Sequence, residues 1–253
     1  MVVIEPGLVF TEKHVVRIYL GTLFCILVFS SQALATPPAD CPDAFRDLFE
    51  TLKPHVGTLT KHDRFPDAQV SFLGQGFGGG DVFLIRPSDG SAPFVVKDYV
   101  LGGADSASND VVGLRVLEQV TEGRATPKAM RPVKLLDHLD VDSLKLEYIS
   151  GRDLQKVAME TKDEEARLKL ARLFDRQTET IKHNMPLGKE FTVGSSTYTV
   201  LDASYRSSLT NGFRDLVVVM RRKTSPFDKV VLWIKPENVV LTPEGELVII
   251  DPR

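Results

Sequence analysis

The stretch that most restricts how this chain can fold is LGQGFGGGDVFLI, Leu73–Ile85, where five glycines crowd the turn between two apolar runs. QVSFL opens the region, DVFLI closes the turn and PFVVKDYV follows; the β-branched and aromatic content of each run reads as a strand. Glycine carries no Cβ, so the backbone there can take φ > 0 and approach a bound group, with successive N–H groups facing an anion. Two uses fit such a turn: a cradle for phosphate, or simply a tight hairpin. Lys97 sits in the third run, fifteen residues after Val82. A strand lysine directed inward is rarely fully buried without an anionic partner. The following segment offers Asp110, with Glu118 as the alternative.

Beyond these strands the pattern alternates. SNDVVGLRVLEQVTEG sets Val111, Leu114 and Leu117 at helical spacing, with an N-cap expected at Ser108. AMRPVKLLDHL and SLKLEYI each read as a strand, and DEEARLKLARLFDRQTETIKH aligns Ala166, Leu170, Leu173, Phe174 and Ile181 on one helical face. Residues 188–231 hold two strand-like runs, TYTVLDA and LVVVM, in otherwise turn-rich sequence. The final stretch, KPENVVLTPEGELVIIDPR, reads as strand, turn and strand, with Pro243 and Gly245 supplying the turn chemistry. As a hairpin it brings the Asn238 carboxamide and the Asp251 carboxylate to one end, two hard oxygen donors suited to a divalent cation. An ordinary surface hairpin is the other reading. The order of elements predicts an α+β protein of two unequal parts.

Charge and leader narrow the setting. The net charge is −3, and Lys and Arg gather into nothing longer than MRRK, so there is no case for nucleic acid as a partner. Arg17 precedes IYLGTLFCILVFSSQALA, whose apolar core, Ile18–Phe29, is short for a bilayer and whose end, Ala33-Leu34-Ala35, fits an A-x-A cleavage site. The expectation is a signal peptide over residues 1–35, cut after Ala35, and a secreted or periplasmic protein with no stable membrane span afterwards. Cleavage removes Cys25 and leaves Cys41, so no internal disulfide is expected. TPPADCPDA is a Pro-rich lead-in and AFRDLFETLKPHV reads as a short amphipathic helix, both in an N-terminal extension over 36–68.

Taken together, the residues from about Gln69 to Arg253 resemble the protein-kinase fold. The Gly-rich loop is similar to G-x-G-x-x-G-x-V, one residue longer before Val82, and FVVK looks like the V-A-I-K strand. LKLEYISGRDL resembles the hinge between kinase lobes. IKPENVVLTPEGELVIID is similar to the catalytic loop and metal-binding strand, with Asn238 and Asp251 thirteen residues apart, as in the family. The resemblance implies a two-lobed fold: a β-rich N-lobe over 69–149 and a truncated C-lobe over 150–253, with an insertion near 188–231. It implies ATP and Mg²⁺ as cofactors. Gly74, Gly76, Gly78, Gly79, Gly80 and Val82 would enclose the nucleotide, Lys97 would hold the α- and β-phosphates against Asp110, and Glu147 and Ile149 would meet adenine. Asn238 and Asp251 would hold the metal, and Lys235 would serve catalysis at the γ-phosphate.

The departures bear on activity. Where the family has its general base, five residues before the metal-binding Asn, this chain has Trp233, whose indole has no basic lone pair. Asp228 could replace the base only through an unusual loop. D-F-G reads Asp251-Pro252-Arg253, and no activation loop follows within the sequence. Three functions stay open: an exported kinase-like transferase or effector acting on an unknown protein target, a pseudokinase serving as a binding module, and a folded extracytoplasmic domain that keeps only ancestral motifs.

Overall fold

The computed structural model describes residues 57–75, 80–99, 103–122, 130–207, 212–225 and 227–252, all within the compact unit Val56–Arg253. The signal segment, the helix expected near 44–56 and Gly76, Gly78 and Gly79 lie outside the described residues. The fold is mixed α/β, rich in sheet, with three helices among the described residues.

The first sheet is built from β1 (Leu59–Thr60), β2 (Gln69–Gln75), β3 (Gly80–Arg86), β4 (Phe94–Tyr99), β6 (Leu135–Asp140) and β7 (Ser143–Glu147). All six pair antiparallel, in the order β1-β2-β3-β4-β7-β6. Period-two alternation decides its faces. Phe94 and Val96 join Val70, Phe72, Phe83 and Ile85 in a cluster on one side. Tyr99, Leu144 and Leu146 pack on the other against Ala107 and Leu114 of helix α1 (Gly103–Thr121). The helix begins five residues before the expected cap, so Ser108 lies inside it; the apolar face extends back to Ala107, and burial there outweighs the local capping preference of serine.

AMRPVKLLDHL is two strands rather than one, β5 (Arg131–Pro132) and β6, belonging to different sheets. The terminal hairpin forms as read: β13 (Val239–Leu241) pairs antiparallel with β14 (Leu247–Ile249), and Gly245 turns the chain at φ 83°. β5 and β8 (Arg152–Asp153) flank this hairpin in a small sheet ordered β5-β14-β13-β8. Helix α2 (Leu154–Glu160) is capped by the Asp153 carboxylate, and α3 (Glu164–His183) by Asp163.

The region that the sequence leaves hardest to read, 188–231, is ordered as a sheet. It forms β9 (Glu190–Val193), β10 (Ser196–Ser207), β11 (Arg214–Arg222) and β12 (Lys229–Ile234), joined in one antiparallel sheet ordered β12-β11-β10-β9. Leu216, Val218 and Met220 of β11 and Val230, Leu232 and Ile234 of β12 enter the largest core cluster, with Phe174 and Ile181 of α3. The segment is therefore part of the core. It also makes Trp233 a strand residue, so the expected catalytic loop shrinks to a 3₁₀ turn at Pro236–Asn238.

Candidate functional site

Lys97 comes from the face of β4 that meets α1, and it is 3% exposed. Its Nζ donates to Asp110 Oδ2 at 2.7 Å and to Asp251 Oδ2 at 2.9 Å, so one ammonium joins the first sheet, α1 and the end of the terminal hairpin. Burial alone would pull the lysine pKa down; the Asp251 and Asp110 carboxylates outweigh it and hold the pKa above its ordinary 10.5. The Tyr99 hydroxyl, two residues along the same strand face, donates to the same Asp110 oxygen. A Cβ on Gly80 would stand 3.2 Å from Lys97 Cε and 3.3 Å from Tyr99 Cδ1, so glycine there lets both side chains lie along β3. Glu118, the alternative partner, pairs with Arg115 instead.

Lys97 and Asp251 sit at one side of a cavity of about 560 Å³. Gly74 and Val82 line it from β2 and β3, Glu147 and Ile149 from the end of β7 and the chain beyond, and Lys235 and Asn238 from the turn before the hairpin. Val95, Leu146 and Val240 make much of its wall apolar, with Lys97, Lys235 and Asp251 among the charged groups set in it. The Glu147 carboxylate is not turned to use in the cavity: Arg131 grips it with two bonds, at 2.9 and 3.1 Å, and the Lys134 N–H adds a third at 3.1 Å. Burial pushes its pKa up, but the Arg131 bonds and the Lys134 N–H outweigh that and hold it below 4.5.

The 3₁₀ turn lines the cavity as well. The Asn238 N–H donates to the Lys235 carbonyl at 2.9 Å, and the Ile250 N–H donates to the Asn238 carbonyl at 2.9 Å, tying this turn to the strand end that carries Asp251. Lys235, 7% exposed, pairs with Glu237 at 2.6 Å and lies 4.9 Å from the centroid of the Trp233 ring. The Trp233 indole N–H donates to buried Asp215 of β11 at 3.0 Å, and its backbone N–H donates to the Pro252 carbonyl at 2.7 Å. Asp228 is engaged with Arg222 at 3.1 Å.

Among the described residues no cluster of three or more His, Cys, Asp or Glu could hold a metal. Asn238 and Asp251 still fit Mg²⁺, which ordinarily takes one or two protein oxygen ligands beside phosphate oxygens and water. Tyr99, Asp215 and Arg131 are invisible to sequence reasoning, because an ordinary Tyr, Asp or Arg carries no local signal of the partner it meets after folding. Among the described residues no helix is long and apolar enough to cross a membrane.

No family model matches the chain, and no curated protein matches it. Among solved structures the chain is similar to a point mutant of the PknI kinase domain of Mycobacterium tuberculosis, at 14% identity and a TM-score of 0.38. The similarity covers 79% of this chain, and the chain spans 62% of that one.

Proposed function

We propose that this chain is a protein-kinase-like module that binds Mg²⁺–ATP in the cavity beside Lys97, between a β-rich N-lobe and a truncated C-lobe. The observation that carries the reading is convergence: Lys97 of β4 and, from a turn and hairpin far along the chain, Lys235, Asn238 and Asp251 line one cavity. In this reading Lys97, kept cationic by its two carboxylates, takes the α- and β-phosphates. Lys235 faces the γ-phosphate, and the apolar wall takes the base. Asn238 and Asp251 would hold Mg²⁺, which when bound offsets phosphate charge.

Bound nucleotide can serve either of two ends. In the first, the protein transfers a phosphoryl or adenylyl group to a protein target as an exported effector. In the second, it is a pseudokinase, a binding module whose nucleotide steadies a surface for a partner. Trp233 favours the second. It stands where the family's base stands, its N–H is committed to Asp215, and indole supplies no proton acceptor. A general base contributes about 10²–10⁴-fold, so transfer to a hydroxyl would be slow by that factor.

A thermal shift of the full chain with Mg²⁺–ATP tests the cradle, since ligand at about a hundred times its Kd stabilises by about 2.7 kcal/mol. No shift at millimolar nucleotide overturns the proposal. With γ- and α-labelled ATP, incorporation that is lost in Asp251→Ala supports the transferase, whereas binding without incorporation supports the module. Export belongs to the same proposal: protein recovered outside the cytoplasm should begin at Thr36, and a mature protein that retains residues 2–12 would refute that part.

A further inference from the structure

The Asp110 carboxylate hangs on one methylene fewer than a glutamate carboxylate would, so to hold a strand lysine α1 needs to stand nearer the sheet by about one C–C bond, ~1.5 Å, than a glutamate would require. Asp110 nevertheless meets Lys97 Nζ at 2.7 Å and also accepts from Tyr99. Gly113 lies three residues along α1, on the same helical face. A Cβ there would come 2.8 Å from Leu232 Cδ2 and 3.0 Å from Pro252 Cγ. Both neighbours are held. Leu232 is fully buried in the main core, the Pro252 carbonyl accepts the Trp233 N–H at 2.7 Å, and the preceding Asp251 is bonded to Lys97. Leu232 Cδ2 ends a flexible side chain, but the packed core around it leaves little room to turn, so α1 takes up the displacement.

We propose that Gly113 is a positioning residue for the nucleotide site: by leaving out a side chain it lets α1 close onto Leu232 and Pro252, and this close approach is what allows an aspartate to hold Lys97. The inference rests on the proposed nucleotide site for its functional meaning, but its geometry does not depend on nucleotide. Any side chain at position 113 lifts the helix. Asp110 then falls short, and Lys97 keeps Asp251. Local propensity runs the other way, because alanine inside a helix is favoured over glycine. A loss on introducing alanine therefore reports the contact and not the helix.

The test uses the full chain and two readouts. The first is acylation of Lys97 by an amine-directed reagent, quantified by peptide mass spectrometry, which needs no nucleotide. The second is the Kd for Mg²⁺–ATP by titration calorimetry. Gly113→Ala should raise the Lys97 labelling rate and weaken nucleotide binding about tenfold, equivalent to about 1.4 kcal/mol. Adding Asp110→Glu to Gly113→Ala supplies the missing methylene and should return both readouts most of the way to wild type. A merely structural role would give no such rescue. Asp110→Glu alone should crowd the native spacing and weaken binding; this arm also stands if Gly113→Ala fails to fold. Unchanged labelling in Gly113→Ala, absent rescue, or Asp110→Glu binding as tightly as wild type would each overturn the proposal. Labelling that responds as stated in a protein with no affinity for Mg²⁺–ATP would sustain the positioning role and reject the nucleotide reading instead.

Discussion

Replacing Lys97 with methionine removes one positive charge from a pocket that holds two negative ones. The Lys97, Asp110 and Asp251 side chains are 4%, 3% and 13% exposed, so solvent screening does little for them. Methionine keeps most of the stem volume, and the loss is mainly electrostatic. Breaking a buried pair by deleting one partner costs about 3–5 kcal/mol, because the remaining charge is left uncompensated. For a unit of this size each kcal/mol lowers Tm by about 2–4 °C, so the variant should melt roughly 6–20 °C lower near neutral pH. The pH dependence has a definite sign. In the native protein the Lys97 pKa is raised above 10.5, so its contribution is fully present below that value and is lost only as pH climbs through the folded pKa. From pH 8 to pH 5 it is constant. Both pH 8 and pH 5 lie below 10.5, so Lys97 stays charged in the native protein and its loss should be seen at both. Urea denaturation of both proteins without nucleotide, at those two pH values, measures it. A difference below about 1 kcal/mol at either pH would refute the buried-triad reasoning.

The same geometry sets three further outcomes. Trp233→Phe keeps the ring under Lys235 but removes the N–H donor to buried Asp215, and should cost about 1–3 kcal/mol by chemical denaturation; a change within experimental error counts against that bond. At Asp98, burial pushes the pKa up but the His62 and Ser143 hydrogen bonds outweigh it and hold it below 3.8. Its contribution is thus present above 3.8 and lost as pH falls through the folded value, so Asp98→Asn should flatten the acid limb of the stability curve, and an unchanged limb would be the adverse result. Gly151→Ala would bring a Cβ within 2.5 Å of the Leu241 carbonyl oxygen, a backbone atom that cannot rotate aside, and should destabilise by about 1–3 kcal/mol in thermal melts; a neutral substitution would mean that β8 and β13 can separate.

Some of this architecture is legible locally. The strands around the Gly-rich turn, the helix at 164–183 and the terminal hairpin each carry their own period and turn residues, so nothing distant is needed to read them. The sheet over 190–234 is not legible as part of the core. Its strands alternate as others do, but which face is inside depends on α3 packing against β11. Asp215, just ahead of the LVVVM run, carries no local sign that the Trp233 indole meets it. The start of α1 is hidden for a related reason, since burial of Ala107 overrides the preference of Ser108 for a cap.

The sequence by itself determined which chemical groups this protein has to work with: a strand lysine, a carboxamide and a carboxylate flanking a hairpin, and a tryptophan shortly before it. Only the tertiary structure decided which of them meet. Lys97 and Asp251 are 154 positions apart and touch at 2.9 Å, and the approach that permits a short aspartate to join them is set by an absent side chain at Gly113. Local preferences act over a few residues of chain, whereas ion pairing and packing act across space, and the fold alone converts one kind of neighbourhood into the other.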